Sequence, residues 1–357
     1  MALFCKDTMT DAERAMALMM GKPIDRVPFM LFALGFNGKM TGYSIFDMYD
    51  NMAKSIDAGF KASEMFGALG GIMAGFPAIG PWELGGEIKW PIGEYAQCPN
   101  AEPAVTTPDE AWNLKLPTPE ELRTLGYVPR WLEVGRIARQ YGVPFTAAAY
   151  GVWTTAGNIV GISNLSKWTI KNPELVHHMV GFAKDFLLMW LQLLVDEFGA
   201  QNIIAVNSTA SAANNILSPK GFKEFVLPHT IDYHKKIMEM GIQSIMLHIC
   251  GEQNLNYEFY PEIPLPPASQ ISISHEVDLE KASRTFPNYV LLGNIEPALF
   301  QTGTPEQVYE ACRIAIEKGK KHKRGFILGP GCEMPPGALP YNVWMMAKAV
   351  NDFGYYE

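Results

Sequence analysis

The chain has 357 residues, 48% hydrophobic and 18% charged, which is enough apolar material to bury a large core. Its formal net charge of −8, with no basic run and no stripe of stacking aromatics, argues against nucleic acid as the main ligand. The longest apolar run, 186–195, is interrupted by Gln192 and flanked by charges, too short to cross a bilayer; with no apolar signal core at the N-terminus, a soluble cytoplasmic protein is expected.

Thr10 and Glu13 predict a capping box that opens a helix through Met20, ended by Gly21-Lys-Pro23. Asp25 to Leu31 reads as the first strand, and the apolar spacing from Ser44 to Phe66 as one helical stretch. From Gly67 to Trp90 the chain is rich in Gly, Pro and Trp, with short strand-like pieces such as 86–90; Asn100 to Pro119 reads as an irregular excursion. Trp82 and Trp90 are read as core packing or, alternatively, as pocket walls. Beyond this the pattern is regular. A helix is predicted over 130–141, a strand over 143–149, and a long amphipathic helix from the Asn172-Pro-Glu174 cap to Phe198. A strand over 202–206 leads through a polar loop, 207–215, to a helix started by Ser218-Pro219. Strands follow at 244–249, 270–274, 289–295 and 325–328, with a helix from Thr304-Pro305 to near Gly319 between the last two.

Apolar strands alternating with helices specify a parallel sheet covered on both faces. Counting one strand between Gly67 and Trp90 gives about eight, which closes as a (β/α)₈ TIM barrel. The expected organisation is a single α/β barrel domain over 1–357, with an N-terminal helix in 1–24 and an irregular excursion in 67–120. An open doubly wound sheet would need Gly-x-Gly-x-x-Gly after the first strand, and none is present.

The chemistry concentrates at two strand ends. Gln243 to Gly251 ends in His248 and Cys250, which share one side of a strand; Gly325 to Cys332 delivers a second thiol at an equivalent place. Parallel strands share a C-terminal face, so the three can converge there. Two thiolates and an imidazole suit zinc and leave one tetrahedral position open. The alternative is two buried small hydrophobes and a core histidine. Glu276 is a candidate fourth, displaceable ligand or a cap before Asp278, and His275 a ligand, proton carrier or surface residue. Tyr150, Asn207, Asn294 and Glu296 are candidate substrate contacts, the last two alternatively serving loop backbone. Cys5, Cys98 and Cys312 lack metal spacing; five widely spaced cysteines point to a reducing compartment. His177 and His178, adjacent on a helix, cannot both face one ion and are given no role.

The segments Asp25-Arg-Val-Pro28, Leu217-Ser-Pro219 with Pro228, Leu247-His-Ile-Cys-Gly251, Gly293-Asn-Ile-Glu-Pro297 and Gly329-Pro-Gly-Cys332 with Pro340-Tyr-Asn342 resemble the uroporphyrinogen decarboxylase superfamily over nearly the whole chain. Within it they resemble the zinc-dependent branch typified by methylcobamide:coenzyme M methyltransferases. The resemblance implies zinc on His248, Cys250 and Cys332, with the methyl carried by cobalamin on a separate corrinoid protein. The implied activity is transfer of methyl between a small methylated substrate or a thiol and that cobalt. A uroporphyrinogen-type decarboxylase is the alternative within enzymes, and a zinc- or ligand-binding barrel without turnover the alternative outside them. The decarboxylase reading requires arginines after the first strand, where this chain has none between Arg26 and Arg123. Asn207-Ser208 stands where related proteins often carry an aspartate. The cobalamin signature Asp-x-His-x-x-Gly has one near match, Asp232-Tyr-His234, with Ile237 in the glycine position, so the corrinoid is expected from outside. Lys39, Lys89 and Lys220 are the available cations for an anionic thiol such as coenzyme M. Phe32, Phe36, Trp82, Tyr150 and Trp153 tilt the reading instead toward a methylated small molecule, such as a methyl ether or methylamine-like compound, as the methyl donor.

Overall fold

The computed structural model describes residues 4–76, 78–93, 98–147 and 150–357. A small antiparallel pair, β1 (Ile88–Lys89) and β2 (Asn100–Ala101), stands apart from the main sheet. That sheet runs β3 (Phe145–Ala147), β4 (Ile203–Ser208), β5 (Ile245–Ile249), β6 (Gln270–Ile273), β7 (Val290–Ile295) and β8 (Phe326–Pro330), paired in sequence order and all parallel. Two more segments complete the ring. Phe29 bridges to Leu328 of β8, with Met30 N–H donating to Leu328 O (3.0 Å) and Leu328 N–H to Pro28 O (2.9 Å). Leu69 N–H then donates to Phe29 O (2.8 Å), and Ile72 bridges to Phe145 of β3. The expected barrel is therefore present, but its first strand is held by a bridge and not by a ladder. Pro28 has no N–H to offer, and Val27 N–H turns away to Gly354 O (2.9 Å).

The chain is helical where the sequence carries a side-chain cap. The Thr10–Glu13 capping box opens Asp11–Met19, the Asn172 side chain caps Pro173–Phe198, and Thr304 with Gln307 caps Pro305–Gly319. Helices Leu34–Thr41, Val152–Val160, Ile162–Lys171 and Pro340–Phe353 begin with no side-chain cap, and none was expected from the sequence. The single helical stretch expected over Ser44 to Phe66 is two helices, Ile45–Asp50 and Met52–Phe66. Asn51 is extended between them and its side chain accepts from Lys54 N–H (3.0 Å), so the break serves as the cap of the second helix. The helix begun at Ser218 widens into a π turn over Phe222–Val226 before Leu227–Glu239; Pro228, lacking an N–H, cannot supply the ordinary bond there. Part of the expected excursion is ordered as the helix Pro108–Asn113 and as β2.

Among the described residues one helix, Pro173–Phe198, is long and apolar enough to cross a membrane. Fourteen of its side chains are buried, and it packs against Val128–Tyr141, Val152–Val160 and Leu227–Glu239, as a core helix does.

At the N-terminal end of the barrel the first segment is pinned by charge. The Arg14 and Arg26 side chains are 0% and 1% exposed. Arg14 Nε donates to Asp25 Oδ1 (2.7 Å) and its terminal nitrogens reach Asp11 and Asp7; Arg26 Nε donates to Asp7 Oδ1 (2.8 Å). Burial pushes the Asp25 carboxyl up, but the Arg14 hydrogen bond and the N–H groups of Thr8 and Met9 outweigh it and hold the group at about 2. Tyr355 Oη donates to Asp7 (2.8 Å), tying in the other end of the chain.

Candidate metal centre

Four strands, β4, β5, β6 and β8, build the site. Register sets Ser208 of β4, His248 of β5 and Ser272 of β6 level with one another. Cys250 follows β5 by one residue and Cys332 follows β8 by two. Gly251, in the left-handed region at φ +76°, turns the chain away directly after Cys250. Gly331 allows the β8 end to lie against the β6 loop, where a Cβ would come within 2.7 Å of the His275 backbone nitrogen.

The ligand atoms of His248, Cys250 and Cys332 lie within 4.8 Å of one another, and the two sulfurs are 3.5 Å apart. Tetrahedral zinc with bonds of about 2.3 Å holds two sulfurs roughly 3.7 Å apart, so this donor set fits the ion both chemically and by size. His248 Nδ1 is 2.8 Å from Ser272 Oγ. With Nδ1–H donated to that oxygen, Nε2 is the nitrogen left for a metal. Gln253 Nε2 donates to Cys250 O (2.9 Å) and Thr209 N–H to His248 O (3.0 Å), fixing the strand end. The thiols are unequal. The hydrogen bond from Cys250, with His248 beside it, lowers Cys332; the same bond, then burial, raises Cys250.

The three ligands open into a cavity of about 300 Å³ at the C-terminal mouth of the barrel. Phe32, Tyr49, Tyr150, Met30 and Met73 give it an apolar wall, and among the described residues no Lys or Arg lines it. Among the described residues its one acidic lining residue is Glu333, next to Cys332. Burial, then the charge of Cys332, pushes this carboxyl up to about 8, against the Tyr49 hydroxyl that donates to it (3.2 Å). Cys98 also lines the cavity, its thiol raised to about 11 by burial.

Of the candidate contacts, Tyr150 lines the cavity. Asn207 does not: it lies inside β4, not in the loop expected, and strand alternation sends Val206 and Ser208 to the cavity while its amide donates to His234 Nε2 (2.5 Å). Asn294 donates to the carbonyls of Ser274 (3.2 Å) and Val277 (2.7 Å), the loop-backbone alternative. Glu296 and His275 are exposed. Glu276 is exposed, accepts a hydrogen bond from Ser274 Oγ and stands outside the three-residue cluster, though its charge still raises Cys250. Lys39, Lys89 and Lys220 do not line the cavity. Trp82 and Trp90 pack edge to face (5.7 Å) under Arg130, Phe36 packs on Phe66, and Trp153 donates to Ser211 O (3.0 Å). His177 Nδ1 meets His229 Nε2 at 3.3 Å, and the His178 ring lies 4.6 Å from that of Trp112. Sequence reasoning missed Glu333 and Tyr49. The signal for Glu333 was a lone carboxylate in Gly329-Pro-Gly-Cys-Glu-Met-Pro-Pro336, directly after a proposed ligand.

Fold and site together define a (β/α)₈ barrel with a His-Cys-Cys cluster at its C-terminal mouth. A family model described as uroporphyrinogen decarboxylase (URO-D) matches residues 10–353, and the chain belongs to that family. A methylcobamide:CoM methyltransferase of Methanosarcina barkeri is 23% identical over 361 residues, covering 95% of this chain and 97% of that protein. A methylated-thiol–coenzyme M methyltransferase of Methanosarcina mazei is 26% identical over 275 residues, 75% of this chain and 68% of its own length. A solved structure of a methyltransferase from Methanosarcina mazei shares the fold, with a TM-score of 0.80 at 20% identity over 97% of this chain and 99% of that one.

Proposed function

We propose that this chain is a zinc-dependent methyltransferase that moves a methyl group between a small methylated substrate or thiol and the cobalt of a separate corrinoid protein. The observation that carries the reading is the convergence of His248, Cys250 and Cys332 at an apolar cavity, in a chain similar along most of its length to methyltransferases named for cobamide and coenzyme M. When bound, zinc supplies a Lewis acid whose charge is balanced by two thiolates, suited to holding a sulfur or nitrogen as it gains or gives up a methyl group. The chain's own residues do the rest. Ser272 holds His248 in one tautomer and orientation, the Phe32, Tyr49 and Tyr150 side chains help keep water from the reacting atoms, and Gln253 and Thr209 keep the β5 end in register.

The corrinoid is a partner's. The near match to a cobalamin signature lies in the helix Leu227–Glu239 with its histidine, His234, fully buried; Nδ1 donates to Pro264 O (2.9 Å) and Nε2 accepts from Asn207, so neither nitrogen is offered to cobalt. The free thiols fit a reducing, cytoplasmic setting. Decarboxylation of uroporphyrinogen is disfavoured, since no cation among the described residues lines the cavity to hold the substrate's carboxylates. The test is methyl transfer to cob(I)alamin, free or on an added corrinoid protein, from a panel of methyl ethers, amines, sulfides and onium salts, with the reverse transfer from methylcobalamin to thiols. Zinc-dependent appearance of methylcobalamin, or its zinc-dependent consumption, is expected. No transfer in either direction by the zinc-loaded protein, or stoichiometric cobalamin on the purified chain, overturns the proposal.

A further inference from the structure

Away from the mouth, two helices bring another pair of metal-ligating atoms together. His177 and His178 cannot both face one ion, but the structure pairs His177 with a histidine 52 residues further along the chain. His177 stands near the start of Pro173–Phe198 and His229 near the start of Leu227–Glu239, with Nδ1 of the first 3.3 Å from Nε2 of the second. Tetrahedral zinc with Zn–N bonds of about 2.0–2.1 Å holds two nitrogens roughly 3.3–3.4 Å apart, so the pair already stands at the edge length of such a shell. The contact is held independently of any ion. The Phe225 ring packs on His177 at 4.9 Å, and further along the same seam Lys184 Nζ on one helix pairs with Asp232 on the other at 2.5 Å. Directly before the helix of His229 lies the π turn over Phe222–Val226, an irregularity frequent at functional sites. His177 is exposed and His229 half-buried, so an ion can enter from solvent with its own water. Two imidazoles suit a divalent ion of borderline softness, such as zinc, nickel or copper; calcium and magnesium take oxygen ligands instead.

We propose that His177 and His229 form a second metal site, on the outside of the barrel, that takes a divalent transition ion of the zinc, nickel and copper group, with water completing its shell. The site shares no residue with His248, Cys250 and Cys332 and stands apart from the methyltransferase reading. On binding, the ring that donates in the N–H···N contact moves that proton to its other nitrogen. Each ring then gives one lone pair to the ion, and neutral imidazoles release no proton. The ion joins the helices that precede and follow β4 in the chain. With two protein ligands the site holds its ion less tightly than the three-ligand set at the mouth, so it fills and empties with the free metal concentration and clamps the two helices only while filled.

The experiment is calorimetric titration of the full chain, free of any histidine tag and loaded with zinc at the mouth, with nickel(II) and, separately, with calcium. One equivalent of nickel per chain is expected beyond the zinc already held, and no calcium. His177→Gln and His229→Gln are each expected to weaken this nickel binding by about tenfold or more while metal analysis finds the zinc unchanged. His178→Gln, one residue along the helix, is expected to leave it as it was. In a thermal melt, nickel should raise the midpoint of the unmodified protein and not that of His229→Gln. No nickel beyond the mouth site, equal binding of calcium, or nickel binding that survives either substitution overturns the proposal and leaves the two rings as a hydrogen-bonded pair. So does an equal loss in His178→Gln. His177 is exposed, so its replacement leaves the core intact. If the mouth holds no zinc, the two histidine variants still decide, because they alter the outer pair alone.

Discussion

The barrel carries charged groups at both ends, and the two ends treat them oppositely. At the N-terminal end Arg14 and Arg26 are buried against Asp7, Asp11 and Asp25, so that opposite charges satisfy one another and join segments distant in sequence. At the C-terminal mouth two thiols 3.5 Å apart, a histidine and a carboxyl crowd together, and among the described residues no Lys or Arg lines their cavity. One cluster is complete without a ligand. The other has its charges arranged for something that is not protein, and the contrast separates residues that hold the barrel from residues that work in it.

The largest expected effect is at the mouth. Cys332→Ser should lower zinc from about one per chain to a small fraction, with little change in the unfolding midpoint of the metal-free protein, because the ion decorates a core that folds without it. Metal analysis beside a thermal melt reads both, and full zinc retention would remove Cys332 from the ligand set. At the other end Arg14→Ala should cost about 3–5 kcal/mol, since Asp25 and Asp7 lose their buried partner, while zinc stoichiometry stays unchanged. Urea titration measures it; a loss below 1 kcal/mol would show that the cluster contributes little. Ser272→Ala should weaken zinc about 10- to 100-fold without altering stability in its absence, read by competition with a chelator. The smallest effect is in acid. Asp25 ionises at about 2 when folded and near 3.8 otherwise, so its contribution of about 2 kcal/mol is complete above pH 4 and lost as pH falls toward 2. Denaturation of the Cys332→Ser protein at pH 5 and pH 3 isolates this from metal release, and the loss should be smaller when Arg14→Ala is added.

The part of the chain from β3 to β8 was legible because each strand is an uninterrupted apolar run, level with its sequence neighbours and separated by helices whose caps are written in side chains. His248, Cys250 and Cys332 were legible for a related reason: parallel strands fix where their ends lie, so a residue's position along a strand already says which mouth it faces. The first third resisted. Its strand positions are single bridges, its helix Leu34–Thr41 starts on Ala33 without a cap, and the break at Asn51 falls inside a continuous helical periodicity. Asn207 was misplaced by one strand alternation, since extending β4 through Ser208 turns the asparagine away from the cavity. Glu333 was passed over because a carboxylate is read as exposed unless tertiary contacts such as Tyr49 are known.

The bridge at Phe29 has a consequence for how the molecule is made. β3 to β8 pair neighbour with neighbour, each closing a modest loop, but the contacts of Pro28, Phe29 and Met30 with Leu328 close almost the entire chain for two hydrogen bonds. Such a seam forms late and opens early. Pulse-labelled hydrogen exchange should find Leu328 N–H, whose partner is Pro28, protected after the amides that join β4 to β5. All three ligands lie on the early side of that order, so a nascent sheet can present His248, Cys250 and Cys332 to an ion before the ring is shut.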